Sequence, residues 1–457
     1  MKQYFFKGLL QNDGWKSNVL IRVDEKGIIT SIEEEASSSK GGRVDGYALP
    51  GFQNAHSHAF QYAMAGLAEV HNVSHTSDDF WSWREAMYQL ALSVSPDQME
   101  HIAAMLYAEM ARHGYTNVAE FHYVHHDKNG SPFDNLAEMG SRMIAAAQSA
   151  GMGITLVPIF YQKGGFGKAP NDRQRRFISP DIDSYLNLLA SSSEACKYYD
   201  GANVGIGIHS MRGVEPNDIA ELAKSGPQKL PFHILISEQL KEIEDSLAYL
   251  KKRPVEWLLD NVELNDRYHL VHATHLTSAE TQGIAKCQAN VVICPSTEGN
   301  LGDGLFPLNE FQSKGGNWSI GTDSHVGLNP LEELRILDYG QRLITHKRNT
   351  FTSEKEGNSG KYAVNMATIT GRKAMNNFTT EFFKVGERLN ASIIDASSPL
   401  LATCSLENLT SSIVYTADAT HQWGTIVNGV MMKDGKSENY DKIKSKFLET
   451  LHELKNR

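Results

Sequence analysis

The sequence predicts an α/β fold, a (β/α)8 TIM-type barrel with a small β-sandwich domain built from both chain ends. Two observations support this prediction. Eight short apolar segments alternate with helical segments over roughly 300 residues in the middle of the chain, which is typical of a (β/α)8 barrel. Both ends are rich in β-branched residues, and a chain of 457 residues is long enough for a barrel and a second unit.

The barrel strands are predicted at runs of apolar and β-branched residues that lie between turn residues. They are residues 47–54, 116–121, 153–160, 203–209, 231–237, 268–273, 290–295 and 317–323. One helix between them has clear boundaries in the sequence. Ser95 is a candidate N-cap, Pro96 takes the first helical position, and Gln98 completes a capping box. Gly114 follows the end of this helix.

The two units are expected to divide the chain unequally. Residues 1–48 and 386–457, with a C-terminal helix, form the small β-rich domain, and residues 49–385 form the barrel. Residues 18–33 have the pattern of a β-hairpin. The stretch 71–89 is longer than an ordinary βα loop and rich in aromatic residues, so we expect a lid or an oligomer contact there.

The amino-acid composition limits the kinds of partner and the cell compartment that we expect for this protein. The net charge is −10 and no long basic run occurs, which argues against a nucleic acid or a membrane partner and favours a small-molecule substrate. The four cysteines show no C-x-x-C spacing, which fits a reducing compartment. Neither a signal-type segment at the start nor a run of roughly 18 apolar residues occurs, so we expect a cytoplasmic protein.

The first barrel strand ends in His56 and His58, which are separated by one residue. Side chains at i and i+2 of a strand point to the same face, so both imidazoles can reach one point beyond the strand end. An isolated pair of this kind is also common as two surface or hydrogen-bonded histidines. The pair indicates a metal site only if further metal-binding groups lie nearby.

The other predicted strands also end in polar residues, and histidines occur at five of the eight strand ends. Because a barrel brings the carboxyl ends of its strands around one pocket, we expect these side chains to meet, and imidazole with carboxylate suits zinc or iron. The strand-end residues are His56 and His58; Glu120, His122 and Tyr123; Tyr161; His209 and Arg212; Glu238; His272 and His275; Ser296, Thr297 and Glu298; and Asp323, Ser324 and His325.

These motifs resemble the amidohydrolase superfamily and, within it, the N-formimino-L-glutamate deiminase family. Long blocks carry the resemblance in the same order along the chain. They are His56-Ser-His-Ala-Phe-Gln61, Met64-Ala-Gly-Leu-Ala-Glu-Val70, Phe80-Trp-Ser-Trp-Arg84, Ala119-Glu-Phe-His-Tyr-Val-His-His-Asp127, Leu270-Val-His-Ala-Thr-His275, Ser296-Thr-Glu-Gly-Asn-Leu-Gly-Asp-Gly304 and Gly321-Thr-Asp-Ser-His-Val326.

The resemblance implies an enzyme of histidine degradation that hydrolyses a formimino group and releases ammonia. It implies His56, His58 and Asp323 as ligands of one divalent metal, with Zn²⁺ favoured, because such a metal lowers the pKa of a water ligand. Asp323 is also placed to take a proton, Glu238 to carry protons to the departing nitrogen, and His272 to orient the attacking oxygen. The predicted fourth strand carries no lysine to bridge a second metal. A homodimer is also implied.

The resemblance also implies a dicarboxylate substrate held by arginines, whose planar groups match carboxylates in a bidentate way. Arg84 and Arg212 take this role, with Tyr123 and His209 in support. Gln61 is expected to lie near the formimino end.

One position departs from the family pattern. The third imidazole ligand is expected three residues before Glu238, but Leu235 stands there. His233 is two residues earlier on the same face, roughly 6.6 Å away, whereas a Zn–N bond is about 2.0–2.1 Å, so it replaces the ligand only if the strand or the metal shifts. The site is therefore expected to hold its metal through His56, His58, Asp323 and solvent.

Leu235 keeps a second hypothesis open beside the active deiminase, namely a catalytically impaired protein that retains the substrate pocket. A third hypothesis is a deaminase of another amidine or of a heterocycle. The two arginines argue against it, because a nucleobase needs no carboxylate clamp.

Overall fold

The structure, a computed structural model, describes residues 1–37, 42–67, 69 and 80–455. It contains an eight-stranded parallel barrel and a separate seven-stranded mixed sheet made from the chain ends, which confirms the predicted fold class. The described strands are β1 (Lys2–Gln11), β2 (Gly14–Val23), β3 (Ile29–Glu33), β4 (Gly42–Pro50), β5 (Phe52–Ser57), β6 (Tyr115–His122), β7 (Gly153–Phe160), β8 (Ala202–Val204), β9 (Ile206–Ser210), β10 (Phe232–Ile236), β11 (Tyr268–His272), β12 (Asn290–Ile293), β13 (Asn317–Ile320), β14 (Ala391–Asp395), β15 (Gln422–Val427) and β16 (Val430–Lys433).

Helices alternate with the barrel strands and cover the outside of the barrel. The described α-helices are α1 (Phe80–Ser93), α2 (Pro96–Arg112), α3 (Glu138–Ala150), α4 (Ile182–Cys196), α5 (Pro216–Ser225), α6 (Leu240–Leu250), α7 (Pro254–Asn261), α8 (Ser278–Cys287), α9 (Pro295–Leu301), α10 (Leu308–Ser313), α11 (Pro330–Thr345), α12 (Ser359–Ala374), α13 (Pro399–Ala402), α14 (Leu406–Thr416) and α15 (Tyr440–Leu454).

The helix with the clear sequence boundaries forms as expected. The Ser95 side chain accepts a hydrogen bond from the Gln98 backbone, and the Gln98 side chain accepts one from the Ser95 backbone, so the capping box is complete. Of the aromatic insertion 71–89, residues 71–79 lie outside the described part of the chain, and α1 begins at Phe80.

The barrel runs in the order β5, β6, β7, β9, β10, β11, β12, β13, and β8 pairs separately with β7. It closes between its first and last strands through a parallel bridge of Ser57 with Asp323. The amides of Thr322 and Asp323 donate to the His56 carbonyl at 3.1 and 2.9 Å, and the His58 amide donates to the Asp323 carbonyl at 3.3 Å. The closing seam therefore passes through the residues expected to bind metal.

The first predicted strand, 47–54, is in fact divided between the two sheets. β4 ends at Pro50 and pairs with β1 and β14, whereas β5 begins at Phe52 and pairs with β6 in the barrel. Gly51 lies between them, and a Cβ atom there would come within 2.3 Å of the Thr116 side chain. A continuous apolar run cannot reveal this change of sheet, because both halves are buried.

The sheet from the chain ends has the order β16-β15-β14-β4-β1-β2-β3. It contacts the barrel at the end of α2, where the Thr425 hydroxyl donates to the Ala111 carbonyl at 2.6 Å. The C-terminal α15 packs on α2, and the Tyr440 hydroxyl donates to Glu109 at 2.6 Å. No helix in the described residues is both long and apolar enough to cross a membrane.

Candidate active site

Two imidazoles and a carboxylate converge at the carboxyl end of the barrel. The Nε2 atoms of His56 and His58 lie 3.2 and 3.0 Å from Asp323 Oδ1, and 3.2 Å from each other. All three side chains are buried. The structure thus brings together the three residues that the sequence predicted as metal ligands.

The donor atoms fit a divalent metal. His58 Nδ1 lies 2.9 Å from the Phe121 carbonyl, which assigns the ring proton to Nδ1 and leaves Nε2 as an acceptor. Burial lowers the pKa of His56 to about 3, so its ring is neutral. Burial opposes ionisation of Asp323, yet its pKa lies well below the ordinary value because His58 and His56 outweigh that penalty. Three acceptor groups that face one another at this distance form a site for a cation.

Leu235 lies in the wall of the same pocket and is 7% exposed. His233 does not approach the three donors, since its ring stacks on His269 with centroids 4.9 Å apart, and its Nε2 lies 3.2 Å from the Ala374 carbonyl. Within the described residues, the buried group at this point consists of two histidines and one aspartate. This position in β10 therefore contributes an apolar surface.

A glutamate and a histidine lie beside the donor set. His272 Nε2 is 3.8 Å from Glu238 Oε1, and His272 Nδ1 is 3.2 Å from Glu298 Oε1. Burial would lower the pKa of His272, but the charge of Glu238 and the hydrogen bond to Glu298 raise it to about 10. The sequence placed Glu298 at a strand end without giving it a role. In the structure it fixes the orientation of the His272 ring.

The backbone is left-handed at three of these strand ends. The φ angles are 54° at Ser237, 68° at His272 and 50° at Asp323, a region that residues other than glycine rarely adopt. Strained residues of this kind persist where surrounding contacts fix them, and they cluster at functional sites. Here they turn the chain at the carboxyl ends of β10, β11 and β13.

Residues predicted to bind the substrate line the same pocket. The Gln61 amide donates to the Tyr123 hydroxyl at 2.8 Å, and the His209 ring stacks on Tyr161 with centroids 3.9 Å apart. Burial and the positive charge of Arg212 lower the pKa of His209 well below its ordinary value, so it is neutral. The sequence named Tyr161 only as a strand-end residue. The structure shows that it supports His209.

Both predicted arginines also lie in the pocket wall. The Arg84 guanidinium lies 5.4 Å from the centroid of the Tyr88 ring. Arg212 Nη1 lies 3.3 Å from Glu242 Oε2. The Glu242 carboxylate also accepts the amides of Ser237 and Glu238 at 3.2 Å each. Glu242, which the sequence did not single out, thereby links Arg212 to the segment that carries Glu238.

A further carboxyl, Asp303, is buried behind Glu238 and His272. Burial, and then the charge of Glu238, raise the pKa of Asp303 to about 9. The Gln239 side-chain amide donates to its Oδ1. Asp303 stands in a block that carried the sequence resemblance, but the sequence indicated only that this loop is rich in turns.

Comparison with known proteins gives the class of protein to which this site belongs. The model of a family described as "Amidohydrolase family" matches residues 47–432. The chain belongs to this amidohydrolase family.

Individual relatives extend this result. Formimidoylglutamate deiminase of Pseudomonas aeruginosa is 40% identical over 456 residues, which cover 99% of this chain and 100% of that protein. A crystal structure of an amidohydrolase from Brucella melitensis superposes with a TM-score of 0.93 at 38% identity, and the match covers 99% of this chain and 100% of that one. An adenosine deaminase from Xanthomonas campestris, solved with bound zinc, has a TM-score of 0.80 at 17% identity, with coverage of 100% and 98%, and it shows a shared fold alone.

The family and the deiminase relative together identify the chain as a hydrolase acting on carbon–nitrogen bonds. This confirms the resemblance that the sequence motifs indicated. Amidohydrolases depend in general on divalent metals, which agrees with the convergence of His56, His58 and Asp323.

Proposed function

We propose that this protein is a metal-dependent deiminase that hydrolyses N-formimino-L-glutamate to N-formyl-L-glutamate and ammonia, as a step of histidine degradation. The observation that carries the proposal is a single pocket that holds two arginines together with Glu238, His272 and the donor set around Asp323. The activity named for the Pseudomonas aeruginosa relative supports the choice of substrate.

The two carboxylates of the substrate account for the two arginines. Arg212 presents a planar guanidinium that Glu242 holds from behind, and Arg84 faces the same pocket. A bidentate contact between guanidinium and carboxylate fixes both position and orientation. The neutral His209 and the hydroxyl of Tyr123 add polar contacts in the same wall. The formimino carbon is then directed towards Asp323 and Glu238.

His56, His58 and Asp323 would hold the metal. When bound there, a divalent metal lowers the pKa of a water ligand towards roughly 7 and so supplies a nucleophile at neutral pH. Asp323 contributes a carboxylate that stays ionised, because the neighbouring imidazoles keep its pKa low. It is therefore able to accept a proton from the attacking water.

Glu238 and His272 complete the proton transfers. As the oxygen of water bonds to the formimino carbon, Asp323 takes one proton of the water, and Glu238 gives a proton to the terminal nitrogen, which becomes an NH2 group. Glu238 then takes the proton of the new hydroxyl group as the carbonyl forms, and the proton held by Asp323 passes to the nitrogen. Cleavage of the bond from carbon to that nitrogen releases ammonia and leaves the N-formyl product, with both carboxyl groups returned to their starting states. His272, protonated at neutral pH because its pKa is about 10, donates a hydrogen bond to the incoming oxygen.

Leu235 favours a second candidate, a substrate-binding relative with impaired catalysis. The apolar side chain supplies no ligand at this position in β10, so the metal would depend on two imidazoles and one carboxylate. Such a protein would bind N-formimino-L-glutamate through the arginines and release little or no ammonia.

Ammonia release separates the two candidates. The purified chain is supplied with zinc, and ammonia from N-formimino-L-glutamate is measured together with zinc content and substrate binding. We expect zinc-dependent ammonia release that Asp323→Asn abolishes. An amidine without carboxylates, formamidine, serves as the control and should react far more slowly. Substrate binding without ammonia release at any zinc concentration, with zinc bound, would support the impaired relative instead.

A further inference from the structure

A second group of metal-binding side chains lies beside the first. Glu238, His272 and Asp303 are all buried and each offers a ligand atom, and these atoms lie within 4.8 Å of one another. None of them belongs to the first set of His56, His58 and Asp323. The two groups share one wall of the barrel mouth, and the ring centroids of His56 and His272 are 6.1 Å apart.

The orientation of His272 is the one that metal-binding histidines adopt. Its Nδ1 is paired with the Glu298 carboxylate at 3.2 Å, so the lone pair that remains is on Nε2, on the side of Glu238. A carboxylate that pairs with the other ring nitrogen in this way fixes the tautomer of a histidine and raises the basicity of the ligating nitrogen. Glu298 Oε1 is already engaged, because it also accepts the Cys294 amide at 2.9 Å. The cation is therefore expected on the Nε2 side.

Asp303 provides independent support for a bound cation at this group. The residue is 5% exposed, its Oδ1 accepts from Gln239, and its Oδ2 has no hydrogen-bond partner among the described residues. Buried polar atoms are usually paired, and a buried carboxylate without a partner is costly. A cation bound at Oδ2 would remove that cost.

Charge around the group is also unbalanced. The short contact of Arg212 is with Glu242, and that of His272 is with Glu298. For Glu238 the ion pair among the described residues is the 3.8 Å contact with His272 Nε2, and Asp303 forms none with a described residue. In the metal-free protein, protons on His272 and on Asp303, whose pKa values are raised to about 10 and about 9, offset part of the charge, and a cation would have to displace them.

We propose that Glu238, His272 and Asp303 form a second divalent-cation site. One imidazole and two carboxylates suit Zn²⁺ or Mn²⁺. A cation there would occupy Glu238 and His272, which the proposed function needs for proton transfer, so it would inhibit hydrolysis. This inhibitory consequence rests on the proposed function, whereas cation binding does not.

Binding stoichiometry tests the site directly. The full-length protein is stripped with a chelator, dialysed against Zn²⁺, and its bound metal counted. We expect two equivalents per chain for the parent and one for Asp303→Asn and for His56→Asn, which remove one site each. Asp441→Asn makes the same change of charge on the exposed face of α15, and it should retain two equivalents.

Three results would overturn the proposal, and a fourth would support it. A parent that binds no zinc, a parent with a single equivalent that His56→Asn removes, or an Asp303→Asn variant that binds as much as the parent, would overturn it. A single equivalent that Asp303→Asn removes and His56→Asn retains would support it and would contradict the metal position in the proposed function. Because the count needs no turnover, the two proposals can fail separately.

A spectroscopic measurement on the unmodified chain covers the case in which a variant does not fold. With Mn²⁺ at saturation, electron paramagnetic resonance should show two spin-coupled ions, because the two groups share one pocket wall. Signals from isolated ions alone would count against the proposal. If the deiminase is active, excess zinc should lower its rate, with the inhibition constant at least about tenfold weaker in Asp303→Asn.

Discussion

Leu235 decides how strongly the first donor set can bind metal. It lies in the pocket wall where the family pattern expects an imidazole, and His233 is committed to His269 and Ala374 instead. The departure was visible in the sequence only through the resemblance to the family, and strand geometry then indicated that His233 lies too far away to replace the ligand.

Leu235→His should strengthen the first site. The new imidazole adds a third nitrogen ligand, so we expect zinc affinity to rise by at least about tenfold and ammonia release to rise with it. Competition with a chromophoric chelator measures the affinity. His233→Leu, one layer deeper in the barrel, is the matched control and should leave zinc affinity unchanged. Equal affinity in Leu235→His and the parent would mean that another group already completes the site.

A second prediction concerns Glu333, which lies outside the pocket and should make the stability of the fold depend on pH. It is 1% exposed, it accepts the Ser296 amide at 2.9 Å, and burial raises its pKa to about 8 from an ordinary 4.5. The folded chain keeps this proton when the unfolded chain has lost it. Unfolding therefore releases a proton between about pH 4.5 and 8, and stability falls as the pH rises through that window.

Glu333→Gln should remove this dependence, because the amide keeps an acceptor and cannot ionise. We expect the variant to be more stable than the parent by roughly 1–3 kcal/mol at pH 8.5, with a smaller difference at pH 5.5. Urea unfolding at the two pH values measures this. Glu332→Gln, on the exposed side of the same helix, should change neither value appreciably. A parent whose stability does not fall between the two pH values would contradict the prediction.

Several residues of the site could not be found from the sequence for a physical reason. Glu242 meets Arg212, Glu298 meets His272, and Asp303 meets Glu238 only when segments that follow different barrel strands come together. Motifs indicate a residue type and its spacing along the chain, but not which carboxylate stands behind which imidazole. The convergence of His56 and His58 at the end of β5 was predictable, because a strand fixes the direction of its side chains.

Among the secondary-structure elements, β4 and β5 show where the barrel begins, because the chain passes from the terminal sheet to the barrel at Gly51. The strand positions could be predicted from apolar runs, but the break inside the first run could not, because burial on both sides of Gly51 is equal. The fourth predicted strand is also interrupted, into β8 and β9, but both parts pair with β7 in the barrel.

Gly51→Ala should destabilise the fold. Its Cβ would meet the Thr116 side chain at 2.3 Å, so β5 or β6 must shift, and we expect a loss of roughly 1–3 kcal/mol. Urea unfolding gives the value. Gly357→Ala makes the same change where nothing lies within 4 Å, so it should change stability little. Equal stability of both variants would show that the contact at Gly51 relaxes without cost.

At the scale of the whole molecule, the sheet from the chain ends is joined to the barrel at α2. The resemblance and the β-rich ends predicted two units, but their junction depends on contacts such as Tyr440 with Glu109, which sequence spacing does not encode. A chain that enters the barrel directly from β4 at Gly51 is also unlike two units joined by a flexible linker.

We therefore expect the barrel and the terminal sheet to unfold together. Denaturation followed by circular dichroism and by tryptophan fluorescence should give one shared transition, and bound zinc should shift both signals equally. Tyr440→Phe, which removes only the hydroxyl contact, should lower that transition without splitting it. Two separate transitions in the parent would contradict this expectation.

The barrel seam has a consequence for motion. Asn54 and Thr322, 268 residues apart in the chain, form two hydrogen bonds, in which the Asn54 side-chain amide donates to the Thr322 hydroxyl and accepts from the Thr322 backbone amide. The proposed metal ligands His56, His58 and Asp323 come from the same two segments. A bound ion would therefore hold the first and last barrel strands together. Amide hydrogen exchange at Thr322 and Asp323 should accordingly slow when zinc is added, and the first opening of the metal-free barrel should occur at this seam.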